Sequence, residues 1–104
     1  MIFLKDYRNT SLRLTDERKK HILEHPEMEQ MFDSIEQTLL LPEKVIQSLS
    51  DPDVQLYYRL YRNTIVGDKY LCVIVKRGLV DSFILTAYLT DTIKKGAVRW
   101  EGQS

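Results

Sequence analysis

The chain has 104 residues, and its 15 Lys and Arg residues balance 15 Asp and Glu residues, so its formal net charge at pH 7 is zero. A zero net charge excludes long-range steering of the whole molecule toward a polyanion, so any nucleic-acid surface must be local. Hydrophobic residues make up 43% and charged residues 29% of the chain, which excludes a disordered segment. We expect one domain over residues 1–104, with its core between about residues 14 and 100.

The number of cysteines and the first residues of the chain indicate the cellular compartment of the protein. The chain has one cysteine, Cys72, within an apolar run, so it has no disulfide framework. The apolar run at residues 2–4 is far too short for a signal-peptide core or a membrane span. We therefore expect a cytoplasmic protein without a membrane partner.

The first half of the chain is predicted to be helical. Residues 2–4 suit either an edge strand or a docked tail, and the segment that follows has no clean hydrophobic period. Thr15 before two acidic residues is typical of a helix start and predicts a helix from about Asp16 to Glu24. A second helix is predicted from about Pro26 to Leu40. Its apolar stripe recurs at three- and four-residue spacing and consists of Met28, Met31, Phe32, Ile35 and Leu39.

The second half is predicted to be a meander of three to four antiparallel strands. A short extended piece at Val45 and Ile46 precedes three segments rich in aromatic and β-branched residues. The short connections between these segments favour hairpins over crossovers. Residues 91–95 are predicted to form a helical turn, after which Val98 and Trp100 return to the sheet. The three main strands are Gln55 to Arg62, Lys69 to Lys76 and Ser82 to Tyr88.

Two histidines are candidates for acid-base chemistry. His21 and His25 are four residues apart, so one continuous helix would place them on a shared face with Arg18. A zinc site would need further ligands, which the chain does not cluster nearby, and we predict no metal. Imidazoles titrate near neutral pH, which suits RNA cleavage. Ordinary capping or surface histidines remain an open alternative.

Two predicted strands carry side chains suited to RNA. Alternation in the first strand places Tyr57, Arg59 and Tyr61 in one row, which would stack a base and contact a phosphate. The alternative is a sheet face whose tyrosines pack beneath the helices. In the third strand, Thr86 and Tyr88 are predicted to share a face with Ser82 and Ile84 and to offer two hydroxyls, although threonine is also simply a good strand former.

Several short segments follow one another in a recognisable order. The most specific are the His-Ile-x-x-His-Pro-Glu box at residues 21–27 and the Thr-Ala-Tyr strand at residues 86–88. With the segments at 14–18, 41–46, 57–59 and 69–76, they resemble the phage-associated nuclease-like domains of the barnase, EndoU, colicin and RelE superfamily. The match covers about residues 14 to 95.

The resemblance implies an α+β fold in which N-terminal helices pack on a twisted antiparallel sheet of about four strands. It also implies metal-independent RNA cleavage without a cofactor, in which the histidines act as acid and base while arginine and lysine stabilise the phosphorane. The threonine and tyrosine of the last core strand would position the phosphate. The catalytic candidates are therefore His21, His25, Arg59 and Thr86, and the substrate-binding candidates are Arg18, Tyr57, Tyr61, Lys69 and Tyr88.

Three functional hypotheses follow. The first is a small metal-independent ribonuclease, toxin-like or phage-derived, with RNA as substrate and an antitoxin or immunity protein as a candidate partner. The second is a non-catalytic RNA- or protein-binding module on the same fold. The third is a structural subunit that associates through an unpaired strand edge.

Overall fold

The computed structural model describes residues 1–102. These residues form one seven-stranded sheet in the order β1-β2-β6-β5-β4-β3-β7 and two α-helices. Neighbouring strands are antiparallel, except that β2 pairs with β6 in parallel. In this part of the chain, no helix is long and apolar enough to cross a membrane. The strands are β1 (Ile2–Lys5), β2 (Ser11–Leu14), β3 (Lys44–Gln47), β4 (Val54–Thr64), β5 (Gly67–Lys76), β6 (Phe83–Thr90) and β7 (Ala97–Glu101), and the helices are α1 (Asp16–Glu24) and α2 (Phe32–Leu40).

The predicted fold of N-terminal helices on an antiparallel sheet of about four strands is wrong. The described chain begins with the hairpin β1-β2, and both helices lie between β2 and β3. Each hairpin strand has only four residues, which is too short for a period-2 pattern to stand out. The buried residues Leu4, Leu12 and Leu14 nevertheless show that the hairpin contributes to the core.

The two helices differ in how well their limits match the prediction. Helix α1 has the predicted bounds, and the Thr15 hydroxyl oxygen accepts a hydrogen bond from the Arg18 amide at 3.2 Å. The predicted continuous helix from Pro26 is wrong, because residues 26–28 form a separate 3-10 helix and α2 begins only at Phe32. Both helix types place residues three apart close together, so apolar spacing alone does not separate them.

The sheet has two unlike faces. Both helices pack on one, the helix face, where Leu12, Leu39 and Val73 are fully buried. The other, the open face, carries a smaller buried cluster that includes Tyr58 and Cys72. Residues 91–96, predicted as a helical turn, instead cover part of the open face as irregular chain, and the Lys94 amide donates to the Tyr58 hydroxyl at 3.2 Å.

A β-bulge in β6 changes which side chains share a face. Ile84 pairs with Val75 and Thr86 pairs with Ile74, so Leu85 is an extra residue in β6. Ile84 therefore points into the core of the helix face, whereas Thr86 lies on the open face. The prediction that Ile84 and Thr86 share one face is wrong, because the bulge interrupts the period-2 alternation.

The loop between β1 and β2 connects distant parts of the sheet. The ring of Tyr7 in this loop lies 4.9 Å from the ring of Trp100 in β7, centroid to centroid. The Tyr7 amide also donates to the Leu39 carbonyl at the end of α2, at 2.9 Å. Because β1 and β7 are the two edge strands, this contact shows that the sheet curls around α2.

Candidate functional site

A hollow of about 500 Å³ opens where α1 leaves β2, and we call it the basic hollow. Helix α1 begins directly after β2, and β2 pairs with β6 at a single position, Arg13 with Phe83. Past that position the chain turns into the helix, which leaves an opening between α1 and β6. Its lining residues are Arg13, Thr15, Glu17, Arg18, His21 and Phe83.

Two guanidinium groups converge on one aromatic ring in the basic hollow. Their central carbons lie 5.2 Å (Arg13) and 5.8 Å (Arg18) from the Phe83 ring centroid, within the range of cation–π attraction. Arg18 Nη1 also donates to the carbonyl of Leu85, the bulged residue of β6, at 2.9 Å. Arg13 Nη2 pairs with the Asp81 carboxylate at 2.7 Å. Both guanidiniums are therefore held in place, Arg18 by β6 and Arg13 by the loop that precedes it.

A carboxylate and an imidazole lie side by side in the same hollow. His21 Nε2 is 3.9 Å from Glu17 Oε1, one helical turn earlier. His21 Nδ1 is 3.9 Å from Glu24 Oε2. The Glu17 and His21 side chains are 85% and 69% exposed, so solvent reaches both. The arrangement offers a proton acceptor and a proton donor beside two cations.

Only two of the sequence-predicted site residues meet in this hollow. Arg18 and His21 line it, whereas His25 is an exposed residue at the C-terminal end of α1 and is not part of the lining. Thr86 and Tyr88 lie on the open face, while α1 packs on the helix face. Neither hydroxyl is among the residues that line the basic hollow.

The predicted row on β4 is occupied by contacts within the chain. Tyr57 is fully buried. Arg59 Nη1 donates to the Leu41 carbonyl at 2.8 Å, and the Tyr61 hydroxyl donates to the Ser34 carbonyl at 2.9 Å. Lys69 on β5 pairs with Asp91 at 2.5 Å. The row thus packs against α2 and its ends, as in the alternative interpretation of the sequence.

Asp6 is a buried carboxylate that the sequence pattern did not reveal. Its Oδ2 accepts hydrogen bonds from the Tyr57 hydroxyl and from Arg77 Nη2, both at 2.7 Å. Its Oδ1 accepts from the amides of Arg8 and Thr10 at 2.9 Å. Burial alone would raise the pKa of Asp6, but these four hydrogen bonds outweigh it and hold the pKa below its ordinary value.

The same network changes the pKa of its tyrosine. Burial, followed by the hydrogen bond to Asp6, raises the pKa of Tyr57 well above its ordinary value, so the phenol stays protonated and donates. Every member of this cluster is satisfied within the protein. The cluster therefore ties the β1-β2 loop to β4 and to Arg77, which directly follows β5, and its role is structural.

Metal and thiol chemistry find no support in the described residues. Within residues 1–102, no group of three His, Cys, Asp or Glu side chains is placed to hold a metal ion. Cys72 is fully buried, and burial raises the pKa of its thiol to about 11, so it stays protonated at neutral pH.

Apart from the helix cap Thr15, three residues of the basic hollow were not predicted as site residues: Arg13, Glu17 and Phe83. Glu17 precedes His21 by one helical turn, and this spacing was a usable signal. The other two meet only through the pairing of β2 with β6, which no local pattern indicates.

Comparison with known proteins adds no assignment. No family model, no curated protein and no solved structure matches the chain. The nuclease resemblance therefore stays a prediction, and the functional argument depends on the geometry of the site.

Proposed function

We propose that the chain is a non-catalytic RNA-binding module that holds backbone phosphates in the basic hollow. The observation that carries this proposal is the convergence of Arg13 and Arg18 on the Phe83 ring, at the mouth of an open cavity. Planar guanidinium groups match phosphate oxygens with two parallel hydrogen bonds, and a fixed orientation lowers the entropy lost on binding.

The charges of the hollow set the expected strength of binding. Arg18 donates one N–H group to the Leu85 carbonyl, and its other N–H groups can bind a ligand. Arg13 would share its donors between the ligand and Asp81. Glu17 opposes an anion, and the chain as a whole is neutral. We therefore expect weak binding of single-stranded RNA that involves about two phosphates and weakens only modestly as the salt concentration rises.

The first test is the salt dependence of RNA binding. Each phosphate contact on a single strand contributes about −0.7 to the slope of log K against log salt, so the wild type should give about −1.4. Arg18→Gln should bind more weakly and give about −0.7. The measurement is fluorescence anisotropy of a labelled single-stranded RNA across a range of NaCl concentrations.

The control for this test is Arg62→Gln, which removes the same charge from an exposed arginine that pairs with Asp68 on the β4-β5 hairpin. It should retain the wild-type slope. Equal losses in the two variants would show that any surface charge serves, and the basic hollow would then not be the site.

A metal-independent ribonuclease is the second candidate, favoured by the pairing of Glu17 and His21 in the same hollow. In this proposal the Glu17 carboxylate takes the proton of the ribose 2'-hydroxyl, whose oxygen attacks the adjacent phosphorus. The P–O5' bond breaks, and protonated His21 donates its proton to the leaving oxygen. Arg13 and Arg18 stabilise the charge that develops on the phosphorane.

Cleavage of labelled RNA in EDTA separates the two candidates. If the chain is an enzyme, His21→Ala should lose about 10²- to 10⁴-fold in rate, which is the usual contribution of one acid-base group. His25→Ala is the matched control and should cleave at the wild-type rate, because His25 does not line the hollow. Binding without cleavage by the wild type would leave the non-catalytic module, and equal losses in both variants would contradict this site.

We also propose a cytoplasmic location. The chain has one cysteine and so forms no internal disulfide, which suits a reducing compartment.

A further inference from the structure

A second hollow of about 350 Å³, which we call the Trp100 cleft, lies at the end of α2 and against β7, and it shares no lining residue with the basic hollow. It is lined by Tyr7, Leu40, Leu41, Arg59 and Trp100, among others. Three of its apolar side chains are exposed, Leu40 to 42%, Leu41 to 59% and Trp100 to 42%. Tryptophan, tyrosine and arginine are the residues most enriched where protein partners bind tightly.

The walls of the Trp100 cleft are held in place by contacts from three parts of the chain. The Trp100 ring lies on Tyr7, and its Nε1 donates to the Pro42 carbonyl at 3.3 Å. Arg59 Nη1 donates to the Leu41 carbonyl at 2.8 Å. The apolar surface is therefore a preformed feature of the fold, and binding to it would cost little ordering entropy.

An acidic surface continues from the Trp100 cleft. Leu40 and Leu41 also line a neighbouring hollow of about 320 Å³, together with Asp33 and Glu36 of α2. Both acids are exposed. Neither is in a salt bridge with any part of the chain from residue 1 to 102. An apolar cleft thus adjoins two carboxylates that have no internal cation.

We propose that the Trp100 cleft and the adjoining acids form a docking surface for a segment of a partner protein that combines apolar anchors with Lys or Arg. The apolar side chain would fill the cleft between Leu41 and Trp100, and the basic side chains would pair with Asp33 and Glu36. Complementary charge of this kind selects the partner and speeds its encounter more than it adds affinity.

The surface does not suit the two other obvious occupants. A second copy related by a two-fold axis would bring the same acids toward each other, which costs energy. RNA would be repelled by the same carboxylates, so this surface is separate from the basic hollow. The outer edge of β7 is also poorly suited to pairing with another strand, because its pairing with β3 is bulged and Arg99 and Glu101 are exposed.

Trp100 is the only tryptophan of the chain, so its fluorescence reports on this cleft alone. Titration with a synthetic peptide of alternating leucine and lysine should shift the emission of Trp100 to shorter wavelength in a saturable way. The corresponding leucine–glutamate peptide should give no shift. The double variant Asp33→Asn, Glu36→Gln should weaken binding of the leucine–lysine peptide by about 2- to 30-fold, as expected for two exposed ion pairs.

Leu41→Ala should also weaken binding, and Leu49→Ala is its matched control, since Leu49 is an exposed leucine outside the cleft at 78%. Equal binding of both peptides, or equal effects of the two leucine variants, would overturn the proposal. A shift that appears with protein concentration alone would also overturn it, in favour of a second copy. None of these outcomes depends on RNA, so this proposal and the proposed function can fail separately.

Discussion

Arg77→Met is expected to lower the free energy of unfolding by about 3 kcal/mol, because it leaves the Asp6 carboxylate buried without its cation. The Asp6 side chain has no exposed surface, and that of Arg77 is 22% exposed. The value is at the lower end of the usual range for buried pairs, since Tyr57 and two backbone amides still donate to the carboxylate. Urea denaturation at pH 7 measures the effect. The control Arg62→Met should change the stability by less than about 1 kcal/mol.

The pH dependence of stability provides a second check on the same pair. The pKa of Asp6 lies below its ordinary value of 3.8 in the folded state, so its stabilising contribution is complete above that pH. The contribution is lost as the pH falls through the folded-state pKa. In Arg77→Met the pKa is less depressed, so less stability remains to be lost on acidification. A loss below pH 3.8 of equal size in wild type and variant would show that Arg77 does not stabilise the charged carboxylate.

Leu12→Ala is expected to lower the free energy of unfolding by about 2 to 5 kcal/mol, the usual cost of truncating a fully buried leucine. Leu12 lies on β2 with no exposed surface and packs in the core of the helix face. Its neighbour Ser11 is exposed, and Ser11→Ala should change stability by no more than about 0.5 kcal/mol. Thermal or urea denaturation measures the free energy of unfolding of both variants. A leucine variant as mild as the serine variant would mean that the first hairpin is not an integral part of the sheet.

Local signals in the sequence predicted the elements that depend on local physics. The cap at Thr15 and the acidic first turn predicted α1 correctly, because capping involves only neighbouring residues. The three long strands were also predicted correctly, with limits that differ by a few residues. The hairpin β1-β2 was not predicted, because strands of four residues owe their stability to partners far away in sequence.

In the candidate site, too, the sequence predicts features that depend on neighbouring residues and misses those that depend on distant ones. Helical spacing placed Arg18 and His21 near each other, and both line the basic hollow. Strand alternation correctly sets Tyr57 apart from Tyr58, but alternation does not show which face the helices cover, and the prediction of Tyr57 as a binding residue fails to account for its burial. Thr86 depends on the bulge at Leu85, and such a register shift leaves no reliable mark in one sequence.

The parallel pairing of β2 with β6 has a consequence for how the chain reaches its native state. Arg13 and Asp81 meet across a separation of 68 residues, whereas β4, β5 and β6 connect through short hairpins. Contacts between distant segments form slowly, because the chain loses the entropy of closing a long loop before these contacts contribute any stabilising free energy. We therefore expect β4 to β6 to assemble first and the first hairpin to dock late. Until it docks, one edge of β6 is a free strand edge, and newly made chains at high concentration are then most prone to aggregate.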